Sequence, residues 1–201
     1  SSLANKRIEY FTKALELNPN LAEAYEKRAV HYYFQGRLDA AIRDYTSAIK
    51  LKPHRAGPYR MRGLAHFKKA HGEGLKAEAK RLAPMYSTFG EEGSREELQK
   101  AIDDFSRAID LSPQLASGYS YRAEAYLVGG RVGEALDDCI THRKLGGSQQ
   151  TIAKAYAVRA RIYRRSGQND LSESDYYKSR MLDPYTHDYP PLHVPLISHY
   201  S

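Results

Sequence analysis

Residues 22–53 read AEAYEKRAVHYYFQGRLDAAIRDYTSAIKLKP, and the pattern of this stretch recurs along the chain. Its first half places Tyr25, Arg28, Ala29 and Tyr32 at fixed spacing. The same positions are filled later by Tyr59, Arg62, Gly63 and His66, by Tyr119, Arg122, Ala123 and Tyr126, and by Tyr156, Arg159, Ala160 and Tyr163. Repetition at a fixed period indicates a stacked array of short structural units.

The second half of the stretch repeats as well. Ala41, Tyr45, Ala48 and Pro53 return as Ala101, Phe105, Ala108 and Pro113, and a leading half-copy supplies Phe11, Ala14 and Pro19. Positions three and four apart share one face of a helix, so each half predicts one helix with an apolar stripe. Gly36 suits the turn that ends the first helix, and Pro53 cannot continue the second. Each unit is therefore predicted to be an antiparallel helix pair.

This small, aromatic and proline pattern resembles that of the tetratricopeptide repeat (TPR) family, over most of residues 3–184. The resemblance implies an all-α, right-handed superhelical array of antiparallel helix pairs, an α-solenoid with four full repeats and an N-terminal half repeat. The boundaries we predict are a half repeat at 1–21, full repeats at 22–55, 56–115, 116–152 and 153–184, and an extended tail at 185–201. Repeat 56–115 contains an insert at about 71–96.

Length and composition agree with a helical repeat array. A single cysteine excludes an internal disulfide framework and favours a reducing, cytoplasmic compartment. No apolar run approaches the length of a membrane span, and no signal peptide opens the chain, so we expect no membrane association. The net charge of +7 is compatible with an acidic partner without naming one.

Residues 1–17 read as the second helix of a repeat whose first helix is missing. Ile8, Phe11, Ala14 and Leu15 would form its buried stripe. An unpaired terminal helix exposes apolar surface. Either the sequence is a fragment of a longer array, or a partner or a second copy covers this end.

The insert adds about 26 residues where the turn between two helices belongs. Loops of this length are often functional or disordered. One interpretation is a solvated loop, and the other is a contact arm whose apolar tip comprises Leu82, Met85, Tyr86 and Phe89.

The fourth repeat has Cys139, His142 and Gly147 where aromatic, alanine and proline residues are expected. The spacing of Cys139 and His142 places both on one helical face, as in half of a metal site, but no further ligands complete a tetrahedral set. We therefore expect a packed thiol and a hydrogen-bonded histidine, with no metal and no cofactor.

One charged pattern recurs in all four full repeats. Each has an arginine before the small residue of its first helix and an aspartate before the aromatic residue (or Cys139) of its second. The arginines are Arg28, Arg62, Arg122 and Arg159, and the aspartates are Asp44, Asp104, Asp138 and Asp175. A bidentate pair between the two helices of each repeat would explain both, and we assign these residues a structural role.

Nothing in the sequence supports catalysis: it has no glycine-rich phosphate loop and no nucleophile with a suitably spaced base. The family resemblance instead implies a non-enzymatic scaffold for protein–protein interaction, in which the first helices line a concave groove for a peptide or a partner helix. Helical spacing and the resemblance assign the following groove residues: Glu23, Glu26, Val30, Tyr33, Arg60, Leu64, Phe67, Ser117, Ser120, Glu124, Leu127, Lys154, Arg161, Arg164 and Arg165.

The groove is predicted to run from an acidic end, through an apolar middle, to a basic end, since residues 139–169 contain no Asp or Glu. The basic run is either an ordinary solvated face or a site for an acidic peptide. A second hypothesis is binding of RNA, with the basic end contacting phosphates and tyrosines stacking on bases. A chaperone C-terminal tail is excluded as the partner, because both asparagines of the TPR carboxylate clamp are absent.

The tail, residues 185–201, contains three prolines and is predicted to be extended. Leu192, Val194, Leu196 and Ile197 would pack on the last helix or enter the groove, or the segment is a linker to a further domain. Self-association through uncapped ends is a further expectation.

Overall fold

The computed structural model describes residues 3–73, 92–165 and 167–184, and within these ranges the chain is entirely helical apart from turns. Nine helices are present there: α1 (Leu3–Leu17), α2 (Ala22–Phe34), α3 (Leu38–Leu51), α4 (Ala56–Glu73), α5 (Glu92–Leu111), α6 (Ala116–Val128), α7 (Val132–Lys144), α8 (Gln150–Arg165) and α9 (Asn169–Leu182). Consecutive helices pack as antiparallel pairs, and each pair stacks on the next. The predicted all-α solenoid is confirmed.

Small residues set the distance between helices. Ala29 of α2 and Ala41 and Ala48 of α3 are completely buried, and Tyr45 fills the space beside them. Gly36 ends the first helix of this pair with φ of 75°, a left-handed conformation that costs glycine little. The turn is therefore tight enough for α3 to fold back along α2.

The apolar core runs through the stack as successive clusters. One lies between α2 and α3 around Tyr45, one between α4, α5 and α6 around Phe105, and one between α6, α7 and α8 around Cys139. At the start of the array, α1 buries Ile8 and Leu15, and the Phe11 ring stacks on His31 at 6.1 Å. No helix in the described ranges has the length and apolarity to cross a membrane.

The two helices of the third repeat extend into the predicted insert at about 71–96. α4 continues to Glu73 and α5 already begins at Glu92, so both ends of the predicted insert are helical. The cause is burial: Ser94 is only 1% exposed, and Nδ1 of buried His66 lies 2.6 Å from Oε2 of Glu97. The proposed apolar tip of the insert lies outside the described residues, as does the tail after residue 184.

Burial of Glu97 by itself disfavours its charge. The hydrogen bond with His66 and the nearby lysines, Lys69 and Lys100, oppose that effect, and the pKa of Glu97 is lowered. This carboxylate therefore ties the first turns of α5 to α4.

Gly63 lies at a close approach of α4 to α5 in the third repeat. A Cβ atom at this position would lie 2.8 Å from the Phe105 ring. Gly57, on the same helix, has no heavy atom within 4 Å of such a Cβ. Alanine substitutions at these two glycines therefore distinguish the effect of packing from the effect of helix propensity on stability.

We predict opposite effects of alanine at these two positions. Gly63→Ala should lower the free energy of unfolding by about 1–3 kcal/mol, because the rigid Phe105 ring must move. Gly57→Ala should leave it unchanged or raise it by up to about 1 kcal/mol, because alanine favours the helix. Urea titration followed by circular dichroism measures both, and equal stability of the two variants would contradict the packing interpretation.

Candidate functional site

In each full repeat, a bidentate arginine–aspartate ion pair joins the two helices. Nε and Nη2 of Arg62 donate to Oδ2 and Oδ1 of Asp104 at 2.8 and 2.7 Å. The equivalent bonds in the other repeats span 2.5–3.0 Å, and the four pairs are Arg28–Asp44, Arg62–Asp104, Arg122–Asp138 and Arg159–Asp175. These bonds raise the pKa of every one of the arginines above its usual value, so the guanidinium groups stay charged although they are largely covered.

A third contact links three of the four full repeats to the unit before them. Nη1 of Arg62 donates to the Thr46 hydroxyl at 3.0 Å, and that hydroxyl donates to the Ile42 carbonyl within α3. Arg28 contacts Thr12 in the same way, and Arg122 contacts Ser106. These hydroxyls were not predicted, although Thr46 and Ser106 each follow the paired aspartate by two residues and this spacing is visible in the sequence.

Aromatic rings complete the surroundings of the arginines. The Arg122 guanidinium carbon lies 5.8 and 5.7 Å from the ring centres of Tyr119 and Tyr126, and Arg159 lies at similar distances from Tyr156 and Tyr163. A cation beside an aromatic face is electrostatically favourable. The repeated tyrosines are therefore part of the internal packing.

The junction before the last repeat departs from this arrangement. Ile140 occupies the position of Thr46 and Ser106, two residues after Asp138, and it has no hydroxyl to offer Arg159. The side chain of Arg159 is also the most exposed of the four paired arginines, at 29%. The connection is three residues longer here, and His142 uses Nδ1 to donate to the Ala116 carbonyl at 2.9 Å.

The thiol of Cys139 is completely buried and lies 3.5 Å from the Thr151 carbonyl oxygen. Burial raises its pKa to about 12, so it is an unreactive packing group. Within the described ranges no cluster of three potential metal ligands occurs.

The first helices of the central repeats bring large apolar side chains to one face. Val30 and Tyr33 of α2 are half-buried against the first cluster, and Leu64 and Phe67 of α4 against the second. Tyr121 of α6 continues this surface and stacks on Phe105 at 5.8 Å. We call the five residues Val30, Tyr33, Leu64, Phe67 and Tyr121 the apolar strip.

The acidic end of the predicted groove is paired within the chain. Lys52 Nζ lies 2.6 Å from Oε1 of Glu23, and Arg55 forms an ion pair with Glu26. Burial raises the pKa of Glu26 despite the charge of Arg55. Both cations lie in the connection between α3 and α4. The predicted groove considered only residues of the first helices, so it did not include them.

At the other end, Lys154 and Arg164 of α8 are exposed and Arg161 is half-buried. The Arg165 side chain lies outside the described part of the chain, and Glu124 of α6 is exposed. Leu127 is wrongly assigned to the groove: it is 5% exposed and belongs to the buried cluster that includes Ala155 and Val158 of α8. The neighbouring repeat covers it, and spacing within α6 alone does not reveal this.

Comparison with known proteins identifies the repeating unit. A family model described as "TPR repeat" matches residues 31–69, which run from α2 into α4. The helices in this segment therefore match the tetratricopeptide repeat. The predicted resemblance to the TPR family is confirmed.

Two curated relatives illustrate the similarity. Tetratricopeptide repeat protein 36 of Bos taurus is 32% identical over 87 residues, 43% of this chain and 46% of that protein. The DnaJ homolog subfamily C member 7 homolog of Dictyostelium discoideum is 24% identical over 165 residues, 78% of this chain and 27% of that protein. The chain thus spans less than half the length of either protein.

Solved structures agree on the fold. A crystal structure of MamA superposes with a TM-score of 0.64 at 20% identity, covering 94% of this chain and 99% of MamA. A thermophilic TPR protein of Thermus thermophilus gives a TM-score of 0.53 at 18% identity, covering 89% of this chain and 82% of that protein. TPR arrays generally mediate protein–protein interactions, and the scaffold is typically non-enzymatic.

The missing hydroxyl at the last TPR junction yields a prediction. Ile140→Thr should give Arg159 the third contact that the other arginines have and raise the free energy of unfolding by about 0.5–1.5 kcal/mol relative to Ile140→Val. Valine is the control because it has the shape of threonine without the hydroxyl. Chemical denaturation measures the difference, and equal stability of the two variants would show that the longer connection holds Arg159 away from position 140.

Proposed function

We propose that this TPR array is a scaffold that binds an extended peptide segment of a protein partner along its first helices. The observation that supports this proposal is the apolar strip across α2, α4 and α6, whose rings and aliphatic groups pack against the core and remain partly exposed. Side chains already held by a core lose little conformational entropy when they bind. A strip of this kind is suited to the side chains of an extended segment.

Charge at the two ends of the strip favours one class of segment. Lysine and arginine already neutralise Glu23 and Glu26 at the α2 end, whereas Lys154 and Arg164 stand exposed on α8. Arg161 lies one turn from Arg164 on the same helix. We therefore propose that the partner segment carries acidic side chains where it crosses α8, and that complementary charge orients it.

Binding of RNA is the competing function, and the tyrosines argue against it. Tyr119, Tyr126, Tyr156 and Tyr163 lie against the internal arginines. Bases need free aromatic faces on which to stack. The basic end alone would give only salt-sensitive, sequence-independent contacts with phosphates.

Charge reversal at the basic end tests the proposed function. Peptides are selected on the wild-type protein from a random displayed library, and their affinities are measured by fluorescence polarisation. The double variant Lys154→Glu/Arg164→Glu should bind acidic peptides about tenfold more weakly or worse, because two attractive charges become repulsive. All four positions altered in the test and its control are exposed, so folding should be preserved.

The control is Lys144→Glu/Arg180→Glu, which makes the same charge change on the second helices α7 and α9. It should retain wild-type affinity within about threefold, since the changed charges lie away from the groove. Equal losses in both double variants would contradict a groove site. Retention of oligouridylate at moderate salt, lost only in the Lys154→Glu/Arg164→Glu variant, would favour RNA instead.

A further inference from the structure

In the second and fourth repeats, the residue just before the second helix is an arginine that lies over a tyrosine of the first helix. The guanidinium carbon of Arg37 lies 4.5 Å from the centre of the Tyr32 ring, and the same distance separates Arg131 from Tyr126. A cation beside an aromatic face is favourable, and neither side chain titrates between about pH 3 and pH 8. Changes of pH within that range therefore leave this contact intact.

The third repeat replaces both members of the contact with groups that titrate. His66 occupies the tyrosine position and Glu97 the arginine position, as their spacing from Arg62 and Asp104 shows. Both side chains are buried, since each residue is 8% exposed, and His66 Nδ1 lies 2.6 Å from Glu97 Oε2. A buried pair of ionisable groups thus lies where the neighbouring repeats have a contact that does not titrate.

The second helix of the third repeat is also longer at its start. α5 begins at Glu92, 12 residues before Asp104, whereas α3, α7 and α9 each begin six residues before the paired aspartate. The first six residues of α5, 92–97, thus have no counterpart in the other second helices. Ser94 is buried there, but its hydroxyl has no hydrogen-bond partner among the described residues. Glu97 supplies polar contacts between this extension and α4.

The charged side chains around the pair come from three helices. On α4, Lys69 Nζ lies 3.6 Å from Glu97 Oε1, and on α5, Lys100 Nζ lies 3.3 Å from the same oxygen. Each lysine also contacts one exposed carboxylate, Asp39 of α3 for Lys69 and Glu96 of α5 for Lys100. The buried carboxylate of Glu97 therefore has the histidine and two lysines around it.

These surroundings make protonation of Glu97 unfavourable in the folded repeat. Burial disfavours its charge, but the hydrogen bond with His66 and the charges of Lys69 and Lys100 outweigh burial, so the pKa of Glu97 is lowered. A carboxylate with a lowered pKa stabilises the folded state above its unfolded-state pKa of about 4.3. This contribution is lost as the pH falls through the lower pKa of the folded state.

We propose that His66 and Glu97 form an acid-sensitive latch that holds the first turns of α5 against α4. At neutral pH the carboxylate accepts from the histidine, and residues 92–97 are helical. In acid, Glu97 becomes neutral, and the protonated histidine lies beside two lysines without a buried counter-charge. The extension then unwinds, and α5 begins near Leu98, as the other second helices do at the equivalent position. This inference does not depend on the proposed peptide-binding function.

Hydrogen exchange measured by NMR tests the latch. Protection factors, which correct for the intrinsic pH dependence of exchange, are compared for the amides of residues 96–100 and of residues 45–49 in α3. Between about pH 6 and about pH 3.5, protection of the wild type at 96–100 should fall about tenfold or more, while protection at 45–49 should change less than about threefold. A parallel fall in both segments would mean global unfolding and would contradict a local latch.

Removal of one charge should open the latch without acid. Glu97→Gln keeps the shape of the side chain, so at about pH 6 it should give the low protection at 96–100 that the wild type shows only in acid. Glu96→Gln is the matched control, because it removes the adjacent exposed carboxylate, which also contacts Lys100, and it should behave as the wild type does. Wild-type protection in Glu97→Gln would overturn the proposal.

Transplanting the contact of the fourth repeat should remove the response to acid. The triple variant His66→Tyr/Glu97→Arg/Lys100→Glu reproduces the side chains of that repeat: Tyr126, Arg131 and Glu134, where the arginine also donates to the glutamate at 2.8 Å. Its protection at 96–100 should change less than about threefold over the same range of pH, because the contact no longer contains a buried carboxylate. A fall as large as that of the wild type would assign the acid effect to other carboxylates and exclude the latch.

Discussion

This array depends on arginine side chains that each bond to the second helix of their own repeat and, in three cases of four, to the preceding unit as well. Each arginine gives two bonds to the aspartate of its own repeat, and three of the four give one more to a hydroxyl behind them. Burying a guanidinium group costs desolvation free energy. Several hydrogen bonds with good geometry offset that cost better than a single contact does. Since the arginine reaches two neighbours at once, this contact fixes the register of stacking as well as the pairing within a repeat.

Much of this arrangement was accessible from the sequence, because it depends on local spacing. The period located the helix pairs, the small residues located their close approaches, and the recurrence of Arg28 and Asp44 suggested the pairs that the structure brings together. Thr46 follows Asp44 at a spacing that also recurs in the sequence. That spacing could not be interpreted, because the partner of the hydroxyl, Arg62, lies in the next repeat and the stacking of the repeats was not known.

The predictions that did not hold share a different cause. Leu127 is buried by α8, Glu26 is neutralised by Arg55, and the early start of α5 follows from contacts of Ser94 and Glu97 with the interior. In each case the decisive neighbour comes from another helix or a connection. Helical periodicity describes which face a residue occupies and not what covers that face. For this reason, the negative charge predicted at the α2 end, at Glu23 and Glu26, was overestimated.

The lack of a hydroxyl at Ile140 affects how the array bends. Solenoids bend by small rotations between neighbouring units, so their compliance is set by the weakest junction. Three junctions are bridged by an arginine and a hydroxyl, and the junction before α8 has isoleucine in place of the hydroxyl. Curvature should therefore vary most at the junction between α7 and α8, where the apolar cluster around Cys139 joins the repeats without an arginine–hydroxyl bridge.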